Sequence, residues 1–539
     1  MERKISGSES SFSSNASSTG FNHSLAPTKQ LTTVNSLPPE ILVDIFNSYC
    51  SSHIDDHAPP LFTSVPRQSP HPCPINISHV SRLWRSLVLS IPSMWTRIFV
   101  TFDLSLSNVP CHKQDMVEAF LQRSGEAGLQ VVVVSKDKND APFLEVDEEP
   151  SGHKNIIRMS HRKALETLLQ PSALHRLESL AIRVSDAHYI RYILGEIGGR
   201  GAPVLKDFAI AIIPPGRPPR QAHCFWSEHF LDDTAIDMSS MPAIRDFALY
   251  APSAHFINNS ATPNWTNLRK FRWESECFFA LSELLEIVAC APMLEEIHTT
   301  LVPSLIGSND ADSTPCVLRN VSSATFICSS HAAAMELMSR IIMPRLKSFA
   351  LVSNNDGSDE LSWPFRTLFP EIDECGSSAP VDGFKTMIPT SLETLSLHIS
   401  NLPEVVTLAT LQALPNLKRL GVRGMQVTNT LLDAMKAPAD VLHSNEPAQP
   451  NPASKMTYIP LCPCLEELDI EHRLEYGVAS MSMILSRTQQ VQVDDAVQRL
   501  KRVNALDLEP AHQTVIKMMI ENRGGLDVKV TYDEALLFP

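Results

Sequence analysis

Long apolar runs are missing from this 539-residue chain. None reaches the roughly 20 residues that a membrane-spanning helix requires. Clusters of basic residues are missing too. Against 60 Asp and Glu stand only 45 Lys and Arg, for a formal charge of -15. That balance excludes the usual electrostatic footprint of a nucleic-acid binder, because phosphate contacts need clustered cations. It is also a poor match for an anionic membrane surface. The 11 cysteines are odd in number and never spaced as CxxC, so they read as reduced thiols of an intracellular protein, in cytoplasm or nucleus. Met1 to Lys29 holds no apolar core segment and is not a signal peptide.

The signatures of enzymatic chemistry are absent as well. There is no Gly-x-Ser-x-Gly, no Gly-rich phosphate loop and no His-Glu-x-x-His. His53, His57, His71 and Cys73 share one stretch, and Cys462-Pro463-Cys464 forms another, but neither shows the four convergent ligands of a zinc site. Cys50, Cys277, Cys290 and Cys328 lie in apolar surroundings and read as inert core thiols. The expectation is a chain with no catalytic residue, metal or cofactor.

What is present divides the chain in three. Residues 1–33 are Ser-rich and poor in large apolar groups, so they are expected to stay disordered. Residues 34–100 read as a small helical module. Leu37, Ile41, Leu42, Ile45, Phe46 and Tyr49 recur at helical spacing behind a candidate cap, Ser36, with Pro38 and Pro39 suited to the first turn. A Pro-, His- and Ser-bearing loop from Ser51 to Pro74 interrupts the module. A second helical pattern follows in Ile77, Val80, Leu83, Trp84, Leu87 and Val88. Pro92 ends it and opens a short turn reaching Trp95.

Residues 101–539 have a different texture. After a helix over Gln114 to Gln122 and a strand over Leu129 to Val134, one phrase keeps returning: an apolar anchor, two variable residues, an anchor, one variable residue, an anchor. Its instances are Leu177-Leu180-Ile182, Leu205-Phe208-Ile210, Ile244-Phe247-Leu249, Leu268-Phe271-Trp273 and Leu294-Ile297. Later come Leu346-Phe349-Leu351, Leu392-Leu395-Leu397, Leu417-Leu420-Val422, Leu465-Leu468-Ile470 and Val503-Leu506-Leu508. Pro203, Pro242, Pro292, Pro344, Pro415 and Pro463 each stand two residues before a first anchor. Steps from 177 to 205, 244 to 268, 268 to 294 and 392 to 417 are 28, 24, 26 and 25, within the roughly 20–29 residues of a leucine-rich repeat. The longer steps, 346 to 392 and 417 to 465, must hold insertions or a degenerate repeat, with Asn354–Ser378 and Ala437–Ser454 as the polar stretches to hold them. The last two anchors face one side of a short strand, and a single strand cannot bury that side alone; stacked neighbours can. Helical stretches such as Phe278–Cys290 and Ala332–Ile342 would cover it. Exposed strand residues, Lys206, Arg245, Lys270, Glu295, Lys347, Glu393, Lys418 and Glu466, are the candidates for partner contact.

The N-terminal phrases carry a resemblance. Leu37-Pro38-Pro39-Glu40-Ile41-Leu42-Val43-Asp44-Ile45-Phe46 resembles the opening helix of an F-box, and Val80-Ser81-Arg82-Leu83-Trp84-Arg85-Ser86-Leu87 its second phrase. Ile91 to Ile98 and Glu118 to Val134 resemble the segments that lead into the repeats of fungal-type F-box-like proteins. The Ser51–Pro74 insertion departs from the family, which has a short turn there. The resemblance covers about residues 35 to 134. It implies an α/β chain in which a small helical F-box-like module precedes a leucine-rich-repeat-like solenoid, a parallel sheet with outer helices. It also implies a substrate-recognition adaptor of a cullin-type ubiquitin ligase. The module would dock on a Skp-type adaptor, and through it a cullin, by way of Leu37, Pro38, Ile41, Leu42, Ile45, Phe46, Val80, Trp84 and Leu87. The repeats would hold a protein target. The alternative is a non-catalytic repeat scaffold whose helical module is a cap or a non-ligase assembly contact.

Overall fold

The computed structural model describes residues 34, 37–51, 74–102, 113–135, 162–184, 187–212, 240–251, 265–275, 279–302, 315–353, 391–399, 404–423, 429–436, 461–471, 482–484, 486–487, 500–506 and 527–530. The Ser-rich tail, Ser36, residues 52–73 with their histidines, Cys277, Leu508 and the two candidate insertions lie outside them.

In every instance of the repeated phrase but the final one, the anchors after the first sit in a short strand. The strands are β1 (Arg97–Phe102), β2 (Leu129–Ser135), β3 (Leu177–Val184), β4 (Asp207–Ile212), β5 (Asp246–Ala251) and β6 (Lys270–Ser275). Next come β7 (Phe279–Ala280), β8 (Glu296–Val302), β9 (Cys316–Val317), β10 (Ser323–Cys328), β11 (Ile341–Ile342) and β12 (Ser348–Ser353). The last are β13 (Thr394–Ile399), β14 (Arg419–Arg423), β15 (Glu467–Glu471), β16 (Arg502–Leu506) and β17 (Asp527–Val530). Together they form one 15-stranded sheet that runs in chain order from β1 to β17, with two-residue β7 beside β8 and the small pair β9–β11 apart from it. Every neighbour pair is parallel.

The register is what makes the core continuous. Leu180, Phe208, Phe247, Phe271, Ile297, Ala324, Phe349, Leu395, Leu420, Leu468 and Val503 lie side by side across successive strands. All are buried. The aromatic members touch, with Phe247 and Phe271 stacked at 5.9 Å between centroids. On this face pack the helices α5 (162–168), α6 (Pro171–Leu174), α7 (Ala187–Arg200), α8 (Leu281–Cys290), α9 (His331–Arg340), α10 (Glu404–Gln412) and α11 (Asn429–Met435), and their buried residues belong to the same core as the anchors. The helix expected over Ala332–Ile342 gives way at Ile341 to β11, and the one expected from Phe278 starts only at Leu281, after β7.

A turn introduces several of the strands. The Leu205 N–H donates to the Ala202 carbonyl at 3.2 Å, Ile244 to Met241 at 3.2 Å, Leu294 to Ala291 at 3.2 Å, Leu346 to Met343 at 3.2 Å and Leu417 to Leu414 at 3.2 Å. The intervening prolines take the second position, where a fixed φ suits the turn and a missing N–H costs nothing. The residue before each proline is buried too, a fourth anchor that the phrase did not include. Cys462 is one of these; it accepts from Leu465 N–H at 3.1 Å, and burial pushes its thiol up to about 12.

Three features of the repeats differ from the sequence reading. Val321-Ala324-Phe326 is a further repeat, all buried, that went uncounted because Ala324 is too small to stand out as an anchor. It splits the 294-to-346 interval into steps of 27 and 25. At the long steps from 346 and 417 no further strand comes between the flanking ones in the sheet, since β12 pairs directly with β13 and β14 with β15. The final phrase is shifted by three: Leu468 lies beside Val503 and Ile470 beside Ala505, so Leu500 and Val503, both buried, take the first two anchor positions and Ala505 stands in register at the third.

The N-terminal part packs on the start of the sheet. It holds α1 (Pro39–Ser51), α2 (Pro74–Ser78), α3 (Arg82–Leu89) and a 3₁₀ turn over Pro92–Trp95. The second helical pattern is thus two helices. Ser81 breaks it by capping α3, its Oγ accepting the Trp84 N–H at 3.1 Å. Trp95 is the hinge pin. It is fully buried, donates from Nε1 to the Val88 carbonyl at 2.9 Å and meets Phe120 edge-on at 5.0 Å. Phe120 belongs to α4 (Lys113–Ser124), whose Arg123 guanidinium lies 4.3 Å over the Trp95 ring. The expected boundary at residue 100 falls inside β1, and one hydrophobic core runs from Leu42 to Val503.

Near the far end Arg487 is fully buried. Its guanidinium donates to the Met435 carbonyl at 2.8 Å, to Cys462 at 3.1 Å and to Leu461. It thereby ties the end of α11 to the turn before β15. Arg487→Ala should cost roughly 3 kcal/mol, because several buried carbonyls lose their donor at once. Urea unfolding of the full chain measures it; an unchanged midpoint would refute this role for Arg487.

Candidate functional site

Helix α1 carries more apolar surface than the chain covers. Leu42 and Phe46, one turn apart, are each 1% exposed and face the core, with Phe46 4.8 Å from the Trp84 ring. Ile41, Ile45 and Tyr49 repeat at the same four-residue spacing on the adjacent strip and are 45%, 43% and 47% exposed. Val80, in the turn before α3, and Leu83, in its first turn, are 62% and 48% exposed. Of the ten exposed large apolar side chains among the described residues, Val34, Ile41, Ile45, Tyr49, Val80, Leu83 and Leu89 fall in this one module. Isolated exposed apolar residues mean little, but a concentration of them marks an interaction surface.

The nine residues singled out in the sequence therefore separate into groups. Pro38, Ile41, Ile45 and Val80 are presented to solvent. Leu37, Trp84 and Leu87 are half-buried against the core, and Leu42 and Phe46 are core. Tyr49 and Leu83 join the exposed group, although the family's phrases did not single them out. Tyr49 was legible through its i+4 and i+8 relation to Ile45 and Ile41.

A second candidate surface is the side of the sheet away from the helices. There the charged strand residues are largely spent on one another. Lys206 pairs with Glu178 at 3.1 Å, Arg269 with Glu295 at 3.3 Å and Lys270 with Glu296 at 3.1 Å. Lys418 pairs with Glu393 at 2.9 Å, Arg419 with Glu467 at 3.4 Å and Lys501 with Glu466 at 2.9 Å. The Lys418 hydrogen bond holds the Glu393 carboxyl below its usual range, and Glu393 in turn raises the Lys418 ammonium. His298 Nε2 lies 3.1 Å from Glu274 Oε1 without the alignment of a hydrogen bond. Of the eight strand charges first picked out for contact, only Arg245 and Lys347 form no ion pair among the described residues.

Asp207 and Asp246 are register partners, so two carboxylates sit side by side between β4 and β5. Burial raises both above the usual carboxylate range, and Asp207 adds to the rise at Asp246. Next to them lies a small apolar cluster on the same face, Ala181 and Ala211 with Val132, Ala209 and Tyr250. Burial also pushes the Cys328 thiol up to about 12, which keeps it protonated at neutral pH. No group of three or more metal-capable side chains occurs among the described residues, and no described helix is long and apolar enough to cross a membrane.

No family model matches the chain, and no curated protein matches it. Among solved structures 11 chains match. One is a crystal structure of a Bacteroides fragilis protein, 12% identical, covering 69% of this chain and 70% of that chain with a TM-score of 0.27. A likeness that loose says nothing of what this chain does.

Two outcomes follow from the geometry. Ile45→Asp should leave stability within about 0.5 kcal/mol of the parent, whereas Phe46→Ala should cost about 3–5 kcal/mol; equal losses in urea unfolding would refute the division of α1 into a core strip and an exposed strip. Asp246→Asn should stabilise the fold at neutral pH. The folded pKa is raised, so the folded state binds more protons than the unfolded one between the two pKa values, and stability falls as pH rises through that window. The gain from Asn should therefore vanish below the usual carboxylate range. Thermal melts across pH decide it, and a gain that persists in acid would refute it.

Proposed function

We propose that this chain is a substrate-recognition subunit of a cullin-type ubiquitin ligase, docking through its N-terminal helices on a Skp-type adaptor and holding a protein target on its sheet. The observation that carries the reading is the solvent-exposed apolar strip of α1, Ile41 and Ile45 with Tyr49 beyond them, together with Val80 and Leu83. All but Tyr49 lie in the two phrases whose wording resembles an F-box. Covering one such side chain is worth roughly 1.5–3 kcal/mol before the costs of association. In this role the chain supplies no bond chemistry. It raises the effective concentration of the target at the transferring subunit.

A second reading has its own support. The helical module shares the core of the sheet through Val88, Trp95 and Phe120, which is what a cap on a repeat array does. A cap has no use for a solvent-exposed apolar strip, and that asymmetry favours the adaptor reading.

Purification of the full chain co-expressed with a Skp-type adaptor separates the two. The adaptor should co-elute with the parent, and Ile41→Asp combined with Ile45→Asp should weaken its binding roughly a hundredfold or more while leaving the melting temperature unchanged. Failure of the parent to retain the adaptor would end the adaptor reading.

A further inference from the structure

The charge pattern on the helix-free face singles out its middle. The ion pairs there form three groups: Lys206 with Glu178 beside β3 and β4, one between β6 and β8, and one running from Glu393, just before β13, to β16. Between the last two groups three adjacent strands carry outward residues of another kind. In register across β10, β12 and β13 stand Ser323, Ser348 and Thr394, then Thr325, Ala350 and Ser396, then Ile327, Val352 and His398. Apart from His398 none of these nine side chains ionises. Each is half-buried, so each is within reach of a partner. The hydroxyls of Ser323, Thr325, Ser348 and Thr394 make no hydrogen bond within the chain among the described residues. Ser396 Oγ lies 3.2 Å from His398 Nε2. The floor around Ser396 is low. Ala350 lies on one side and Gly421 on the other, where a Cβ would come within 2.9 Å of the Ser396 hydroxyl.

We propose that this neutral grid on β10, β12 and β13 is where the target docks, and that the occupant is an uncharged polypeptide segment bearing hydroxyl, amide or methyl groups. The inference rests on the reading of the sheet as the target-holding part and names the chemistry of its partner. The physical reason is charge matching. A charged side chain laid on the grid loses its hydration and meets no opposite charge among Ser323, Thr325, Ser348, Ala350, Thr394 and Ser396; most of the flanking ions are paired with each other, and Lys347, which forms no ion pair among the described residues, stands at the rim one residue before Ser348. A neutral segment loses less and gains free hydroxyl partners over a surface framed by Ile327 and Val352.

The test pans a random linear peptide library on the full chain. Enriched peptides should be poor in Asp, Glu, Lys and Arg through their centre. Their affinity should fall about tenfold or more in Thr325→Lys and in Ser348→Glu, each of which places an unpaired charge in the grid. It should stay unchanged when Lys418 and Glu393 are exchanged, K418E with E393K, which preserves the neighbouring pair. Melting temperatures confirm that both grid variants are folded. Enrichment of charged peptides, retention of binding by both grid variants, or no enrichment at all would overturn the proposal. Adaptor binding by the same proteins is read separately: a parent that takes these peptides but no adaptor sinks the ligase reading and leaves the grid standing.

Discussion

The structure depends on one constraint, the in-register stacking of equivalent anchors across parallel strands. Each repeat contributes a strand of five to eight residues in most cases, too short to bury its own apolar side. Stability comes only when the second and third anchors of one strand lie beside those of the next. Everything else accommodates that requirement. The turns with proline bring each strand in at the same height, the buried residue before the proline seals the turn, and insertions are confined to the connections so that β12 and β13, or β14 and β15, still meet directly.

The same register decides what the other face can do. Because parallel neighbours align residue for residue, a cation on one strand meets whatever stands at that position on the next. Lys270 beside Glu296 and Arg419 beside Glu467 are attractive consequences; Asp207 beside Asp246 is a repulsive one. Exposed cross-strand pairs contribute little individually, yet they neutralise charge locally, so a chain with a formal charge of -15 presents strand surfaces that are close to balanced. The strands without charges stand out against that background.

At the N-terminus the constraint is the reverse. Helix α1 has an apolar arc wider than one core can cover. Leu42 and Phe46, the latter against Trp84, are taken up into the core, and the adjoining strip is left in water. A small module with little core of its own gains order by joining the core of the sheet, which Trp95 accomplishes through its contacts with Val88 and Phe120.

The sequence by itself determined the repeats, because anchor spacing is a local property: Leu177-Leu180-Ile182 and its successors state both the strand and the side it buries. It determined where helix α1 lies, through Pro39 and the apolar spacing that follows. It did not determine which member of an apolar arc is core, since Ile41 and Leu42 are chemically alike and only the packing of Phe46 on Trp84 separates them. Nor did it reveal the repeat at Ala324 or the shifted positions Leu500, Val503 and Ala505, where alanine gives no hydrophobic signal and register with the neighbouring strand decides. The pairing of Lys418 with Glu393, 25 residues apart, was equally invisible. Spacing along a chain fixes which side a residue faces, but which residue stands next to it across the sheet is set by tertiary register alone.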